Sequence, residues 1–600
     1  MRARIFLLGV AALAFVGAGA LAQKQDQKQE KPESLLPPGF GEQAPTQAPD
    51  QPGLSPQQQP PQTVPAAPGT VAPALVNGVA PDILPSPTPT VSPTPIDPAT
   101  LAKYEMPEFA RRSLTTVGTG GGGFGADAFG QADGGYLETL MRRLSAPVPS
   151  RWVSIALRRL LTAPIATPAQ LNGADFAAER AWLLLRMGES VSARSVVEAV
   201  DNDNYTPKLR QVAMQAMLAT ADPAGLCPLA NASTAAFNER GWVLAKAMCT
   251  SLSGDAAAAR PLIAAAKRQR LATGIDMQLA EKVAGAGADS RQAVTIEWNA
   301  VDQLTAWRFG LAAATGVAIP DTLYASVGPQ VTGWRALSPA IPMADRVGVA
   351  GQAATMGVLS SAALVDLYAA LDTADDTPAP IAALASDIQN AYVGADAATR
   401  AKALVNLWDG ATTPADRYAR LILTARAAAR VRPGDNPEAN RLVAAMLTAG
   451  LDRLASRWRN SVNEGSDGWA LITLADPDFA GRVSYRTLSG YAGSGDAALK
   501  QRLFFAGLAG LGRMAPDDVE RAAQALDVPI GAENSWTRAL NVAVRRRQPG
   551  TVLLLAAVGM QTPGWDGVPP AALYRIVAAL RAVGLNGEAR MIAAEALTRA

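Results

Sequence analysis

Among residue types that do chemistry, the most informative is missing: the 600-residue chain contains no histidine. That removes Ser-His-Asp and Cys-His nucleophile systems and every His-liganded zinc, copper, iron or haem site. Carboxylates remain, and two of them facing across a cleft suffice for glycoside hydrolysis. Asp517 and Asp518 follow Pro516, where acids complement the positive end of a helix dipole, so they read as a helix start. The string DNDNYT at 201–206 opens like a calcium loop. It then places Tyr205 at a ligand position, Thr206 where glycine is required and Val212 where a bidentate glutamate belongs, so it reads as a turn before a capped helix. The string GTGGGGFG at 118–125 matches G-x-G-x-x-G in form, but no strand–helix unit frames it. A glycine-rich hinge over 105–135 is the expectation. No Ser-x-x-Lys string is present to serve as a histidine-free nucleophile. No catalytic, cofactor-binding or metal-binding residue is assigned, and no cofactor is expected.

Cys227 and Cys249 are the only cysteines, 22 positions apart. That is a helical-hairpin distance and lacks the Cys-x-x-Cys redox spacing. A structural disulfide is expected, worth ~3 kcal/mol on the chain-entropy model. Fifty-four basic side chains balance 52 acidic ones, which argues against a nucleic-acid partner. The basic clusters at 267–270 and 545–547 read as solvated helix ends near the negative end of the dipole.

The elements that position these residues follow from composition. Residues 1–22 begin with Arg2 and Arg4, continue through an apolar run, and end in Ala20-Leu21-Ala22. That is a signal peptide with cleavage between Ala22 and Gln23. It implies a periplasmic or secreted protein, touching a membrane only through this segment if it is left uncleaved. Residues 23–104 are rich in Pro, Gln and Thr, as expected of a disordered linker. Residues 136–600 change to amphipathic helix, dominated by Ala, Leu, Arg and Met. Helix starts are marked by a capping residue followed by proline, at Thr167-Pro168, Thr206-Pro207, Thr413-Pro414 and Asn436-Pro437. The fold class is all-α: a helical-repeat solenoid behind a long disordered tail.

One phrase recurs within that body. Gly188 is followed five and six residues later by Ala193 and Arg194, Gly254 by Ala259 and Arg260, and Gly584 by Ala589 and Arg590. Glycine supplies a left-handed helix end, and alanine lets the next helix cross closely. The first two copies stand nearly two ~34-residue tetratricopeptide periods apart. With Trp182 and Trp242 opening helices that precede these glycines, the text resembles exported tetratricopeptide-like helical-repeat proteins of proteobacteria. The resemblance implies a protein-binding scaffold without chemistry.

A second comparison concerns the peptidoglycan lytic transglycosylases, which join a helical superhelix to a domain with a catalytic Glu-Ser pair and a downstream Gly-Leu-Met-Gln-type string. Glu189-Ser190 and Gly559-Met560-Gln561 are similar to these. They lie far apart in the chain, and Glu189 falls in the repeated turn, where a cap is the simpler role. The expected function is therefore a non-enzymatic periplasmic scaffold for a protein or peptide ligand of the cell envelope. The alternative is a cell-envelope glycan-acting enzyme, a peptidoglycan lyase or hydrolase, with an unrecognised carboxylate site.

Overall fold

Turn chemistry sets the architecture. A computed structural model describes residues 106–236, 239–287, 294–371 and 379–600; the expected signal peptide at 1–22, the expected cleavage between Ala22 and Gln23, and the expected linker at 23–104 lie outside these. Among the described residues the chain is all-α, with 27 α-helices and one short strand pair. Thr206 caps helix Pro207–Ala219, its hydroxyl accepting from Leu209 N, and Thr413 caps helix Pro414–Ala428 through Asp416 N. Asn436 accepts from Glu438 N at 2.8 Å, just ahead of helix Ala439–Thr448. Thr167-Pro168 departs from the expectation. The Thr167 hydroxyl donates to Leu114 O at 2.6 Å, and the next helix, Gly173–Arg186, starts later, capped by Asn172.

The repeated glycine phrase has one geometry. Gly188, Gly254 and Gly584 have φ of 86°, 91° and 89°, a region closed to most side chains. In each turn two amides fold back on the preceding helix. Gly188 N and Glu189 N donate to Leu185 O and Leu184 O, Gly254 N and Asp255 N to Ser251 O and Thr250 O, and Gly584 N and Leu585 N to Arg581 O and Leu580 O. This is the Schellman arrangement, which satisfies carbonyls a helix end would otherwise strand. Ala193, Ala259 and Ala589 are all buried, as close crossing requires.

Helix pairs stack in sequence, but the stack closes on itself. Helix Asn586–Arg599 packs against Arg151–Thr162, Pro414–Ala428, Ala439–Thr448, Asp467–Ala475 and Ala497–Gly510. Repeats of an open solenoid touch only their neighbours; here the last helix of the chain reaches its second. Glu595 makes the junction. Its carboxylate accepts from Ser150 Oγ at 2.6 Å, Arg151 N at 2.8 Å and Trp152 N at 3.1 Å, so it caps helix Arg151–Thr162 from the other end of the chain. Arg599 pairs with the same carboxylate at 3.0 Å and lies over the Tyr418 ring at 4.6 Å. Burial pushes the Tyr418 hydroxyl far up.

The segment expected to be a hinge is folded against the body. Thr116–Val117 pairs antiparallel with Ile165–Ala166. Gly550 N donates to Ala128 O at 2.8 Å. Buried Arg180 donates to Val117 O at 2.7 Å and Ala163 O at 3.0 Å. Phe129 is buried and meets Phe176 edge-on at 6.0 Å. Glycine here serves close approach: a Cβ on Gly118 would lie 2.2 Å from Ala163 O. Low-complexity glycine hid a packing role.

Two outcomes follow for stability. Removing residues 23–105 is expected to leave the melting temperature within a few degrees, whereas removing 23–130 strands one buried Arg180 donor and empties the Phe129 site, costing ~3 kcal/mol or more. Equal melting temperatures for the two truncations would contradict this. Glu595→Ala is expected to lower unfolding free energy by about 3 kcal/mol in urea titrations, because it leaves the buried Ser150 hydroxyl and two helix amides without their acceptor.

Candidate functional site

Helix Arg151–Thr162 carries Arg158 and Arg159 on its last turns. Arg158 faces the turn before helix Ser190–Glu198, and its Nη1 donates to Glu189 Oε1 at 2.6 Å and Gly357 O at 2.8 Å. Ser192 Oγ donates to the other Glu189 oxygen at 3.2 Å. Burial pushes the Glu189 carboxyl above the usual carboxylate range, against the pull of Arg158. Arg159 turns the other way, donating to Gly122 O at 3.0 Å and Glu588 Oε1 at 2.8 Å. The glycine segment thus becomes one wall of a cavity.

That cavity measures about 290 Å³. Gly120, Gly121, Arg158, Thr162, Ser192 and Ser195 are among its lining residues. Gly120 and Gly121 have φ of 85° and 83°, and a Cβ on either would meet nothing within 4 Å. Both guanidiniums are already matched by carboxylates, so the cavity offers hydroxyls and backbone polar groups rather than net positive charge. Such a surface suits amides or sugar hydroxyls more than a phosphate.

The structure brings together two strings that looked unrelated in sequence, the glycine run and Glu189-Ser190. It does not bring Gln561 to Glu189. The Gln561 side chain accepts from Ser145 N at 2.6 Å and donates to Ser145 O at 3.2 Å, locking the segment before helix Arg151–Thr162. Asp517 and Asp518 lie in the first turn of helix Pro516–Ala525, and Asp518 accepts from Tyr485 N at 3.2 Å. The string at 201–206 forms a 3₁₀ turn, Asn202–Asn204, with Asp201 accepting from Arg112 N at 2.7 Å. Lys267 pairs with Glu281, and Arg545 ends helix Ser535–Arg545. Cys227 and Cys249 lie at disulfide distance, with sulfurs 2.08 Å apart, joining the start of helix Cys227–Ala236 to helix Arg240–Leu252.

Arg158 and Arg159 escaped the sequence reading. Their partners Glu189 and Glu588 lie 31 and 429 positions away, and no local spacing announces them. Among the described residues no group of three or more Cys, Asp or Glu is placed to hold a metal ion, and no helix is long and apolar enough to cross a membrane. No protein-family model matches the chain, and no curated protein or solved structure matches it either.

Arg158→Met leaves the buried Glu189 carboxylate without its cation and is expected to cost ~3 kcal/mol. Adding Glu189→Gln should recover at least half of that loss in a double-mutant cycle. Additive losses would show that the pair does not interact.

Proposed function

We propose that this chain is a non-enzymatic scaffold of the bacterial periplasm, binding a protein or peptide of the cell envelope, with a tetratricopeptide-like helical body. One observation carries the reading. The buried carboxylates Glu179, Glu189 and Glu595 are each held by donors from other elements: Glu179 by the cations Arg142 and Lys208, Glu189 by the cation Arg158, and Glu595, beside its own helix's Arg599, by the amides of Arg151 and Trp152. Interior acids therefore serve to join helices, which is the work of a scaffold rather than of acid–base chemistry. A cysteine pair at disulfide distance fits an oxidising compartment. Hydroxyls and open glycine backbone at the cavity supply the hydrogen-bonding groups that a peptide main chain uses.

A second reading rests on one feature. A glycan-acting enzyme needs a carboxyl kept protonated near neutral pH, and Glu189 has a raised carboxyl beside Ser192, a lining residue of the cavity. The two readings separate in one pair of experiments. A photo-crosslinking residue replacing half-exposed Val191 at the cavity is expected to give a discrete protein adduct in the envelope, unchanged by chelator. Purified full chain is expected to release no muropeptides from sacculi. Muropeptide release by the wild type that Glu189→Gln abolishes, without a discrete adduct at Val191, replaces the scaffold reading with the enzymatic one.

A further inference from the structure

A second cavity, about 300 Å³, lies among helices Met343–Thr355, Ser361–Leu371 and Pro414–Ala428, with Ile381 of helix Ala379–Val393 at its edge. Val347, Leu364, Ile381 and Leu423 are its apolar lining, and Gln352, Tyr368 and Asp416 bring polar groups to it. Two glycines leave one helix face bare. A Cβ on Gly348 would meet nothing within 4 Å, while one on Gly351 would crowd the Ala419 methyl at 3.3 Å. The lining also includes one cation, Arg420.

Half-buried Arg420 lacks an acceptor at a terminal guanidinium nitrogen, whereas Arg151 and Arg180 lack one only at Nε. Arg151, Arg180 and Arg513 donate to main-chain carbonyls, and Arg158 pairs with Glu189. Arg420 Nη1 is buried and has no hydrogen-bond partner among the described residues. Asp416, one turn earlier on the same helix and also a lining residue, forms no ion pair with it. Its carboxylate is instead engaged by the hydroxyls of Thr412 at 3.2 Å and Thr413 at 2.8 Å, where it closes the helix start. A buried donor of a charged group without an acceptor is unfavourable by more than ~1 kcal/mol. An incoming carboxylate would remove that penalty and form a planar, two-pronged contact with the guanidinium. The walls are suited to a short aliphatic chain.

We propose that this cavity binds a small aliphatic carboxylate, with Arg420 holding the acid group and Val347, Leu364 and Leu423 covering the chain. The acid is either a free short-chain fatty acid or the carboxy-terminal apolar residue of a peptide. Both present the same groups, a carboxylate on a branched or straight hydrocarbon. This inference does not depend on the scaffold reading, because its test contains no envelope partner.

The test is calorimetric titration of the full chain with sodium octanoate, and with 1-octanol as the uncharged counterpart. Saturable binding of one octanoate per chain is expected, with octanol weaker by about tenfold or more. Gly348→Leu fills open space on a helix without a clash, so it should keep the melting temperature and weaken octanoate by about tenfold or more. Arg420→Met should erase the preference for octanoate over octanol. The tripeptide Ala-Ala-Leu with a free carboxy terminus, set against its amide, identifies the source. Displacement of octanoate by the free form alone assigns a peptide end, and no displacement by either assigns the free acid. The proposal is overturned if folded wild type shows no saturable octanoate binding at millimolar concentration, or if binding is the same in the wild type and Gly348→Leu.

Discussion

The carboxylate of Glu595 carries a constraint that the rest of the fold obeys. A buried charge is tolerated only when its hydrogen bonds are complete. Here they are completed by Ser150, Arg151, Trp152 and Arg599. Those groups belong to the two ends of the helical body. Ring closure and charge satisfaction are therefore one event, and helix Arg151–Thr162 has its dipole matched only when the C-terminal helix is in place. Arg158, Arg159 and the glycine wall of the first cavity all inherit their positions from that helix.

Arginine does most of the remaining joining. Ten of the 54 basic residues are lysine, and the rest are arginine. The buried arginines reach the ends of other helices: Arg186 to Leu144 O at 2.6 Å, Arg513 to Asp476 O at 2.7 Å, Arg590 to Ala475 O at 2.9 Å. Stranded carbonyls at helix C-termini carry negative partial charge, and a planar fork can serve two of them where an ammonium offers a point charge. Burial lowers the Arg180 guanidinium to about 10, so it stays charged at neutral pH. Phe176, beneath it at 5.1 Å, adds a cation–π contact. A chain of many short helices has many such ends, and this one closes them with guanidiniums.

What was legible in the sequence was local. The Gly-x4-Ala-Arg phrase encoded a left-handed residue, two backward hydrogen bonds and a buried alanine, all within a few positions, and the three copies have that form. Thr206 and Thr413 announced their helices for the same reason: cap and capped amide are three residues apart. The cysteine pair was readable from count and spacing. What was not legible depends on separation. Glu595 and Ser150 are 445 positions apart, and Arg159 and Glu588 are 429 apart, so closure left no periodic trace. The glycine run misled because its role lies in what it approaches, the Ala163 and Arg159 carbonyls, rather than in any pattern of its own. Thr167-Pro168 had the composition of a helix start, but a strand pairing with Thr116–Val117 claimed that stretch first.

Closure also changes where a ligand can sit. An open solenoid presents one continuous inner surface; in this chain the last helix occupies central space, packed against six others including its hairpin partner Pro570–Ala582. Room is left instead where a glycine leaves a helix face without a side chain or where a turn replaces a helix. Both cavities obey that rule: one is walled by Gly120 and Gly121, the other by Gly348 and Gly351. They differ in electrostatics. In the first, every guanidinium has its carboxylate. In the second, the Asp416 carboxylate one turn before Arg420 takes the Thr412 and Thr413 hydroxyls instead. With that acid held at the helix start, the Arg420 guanidinium stands at the cavity without an ion pair. Local capping chemistry thus sets the ligand class that the second cavity can accept.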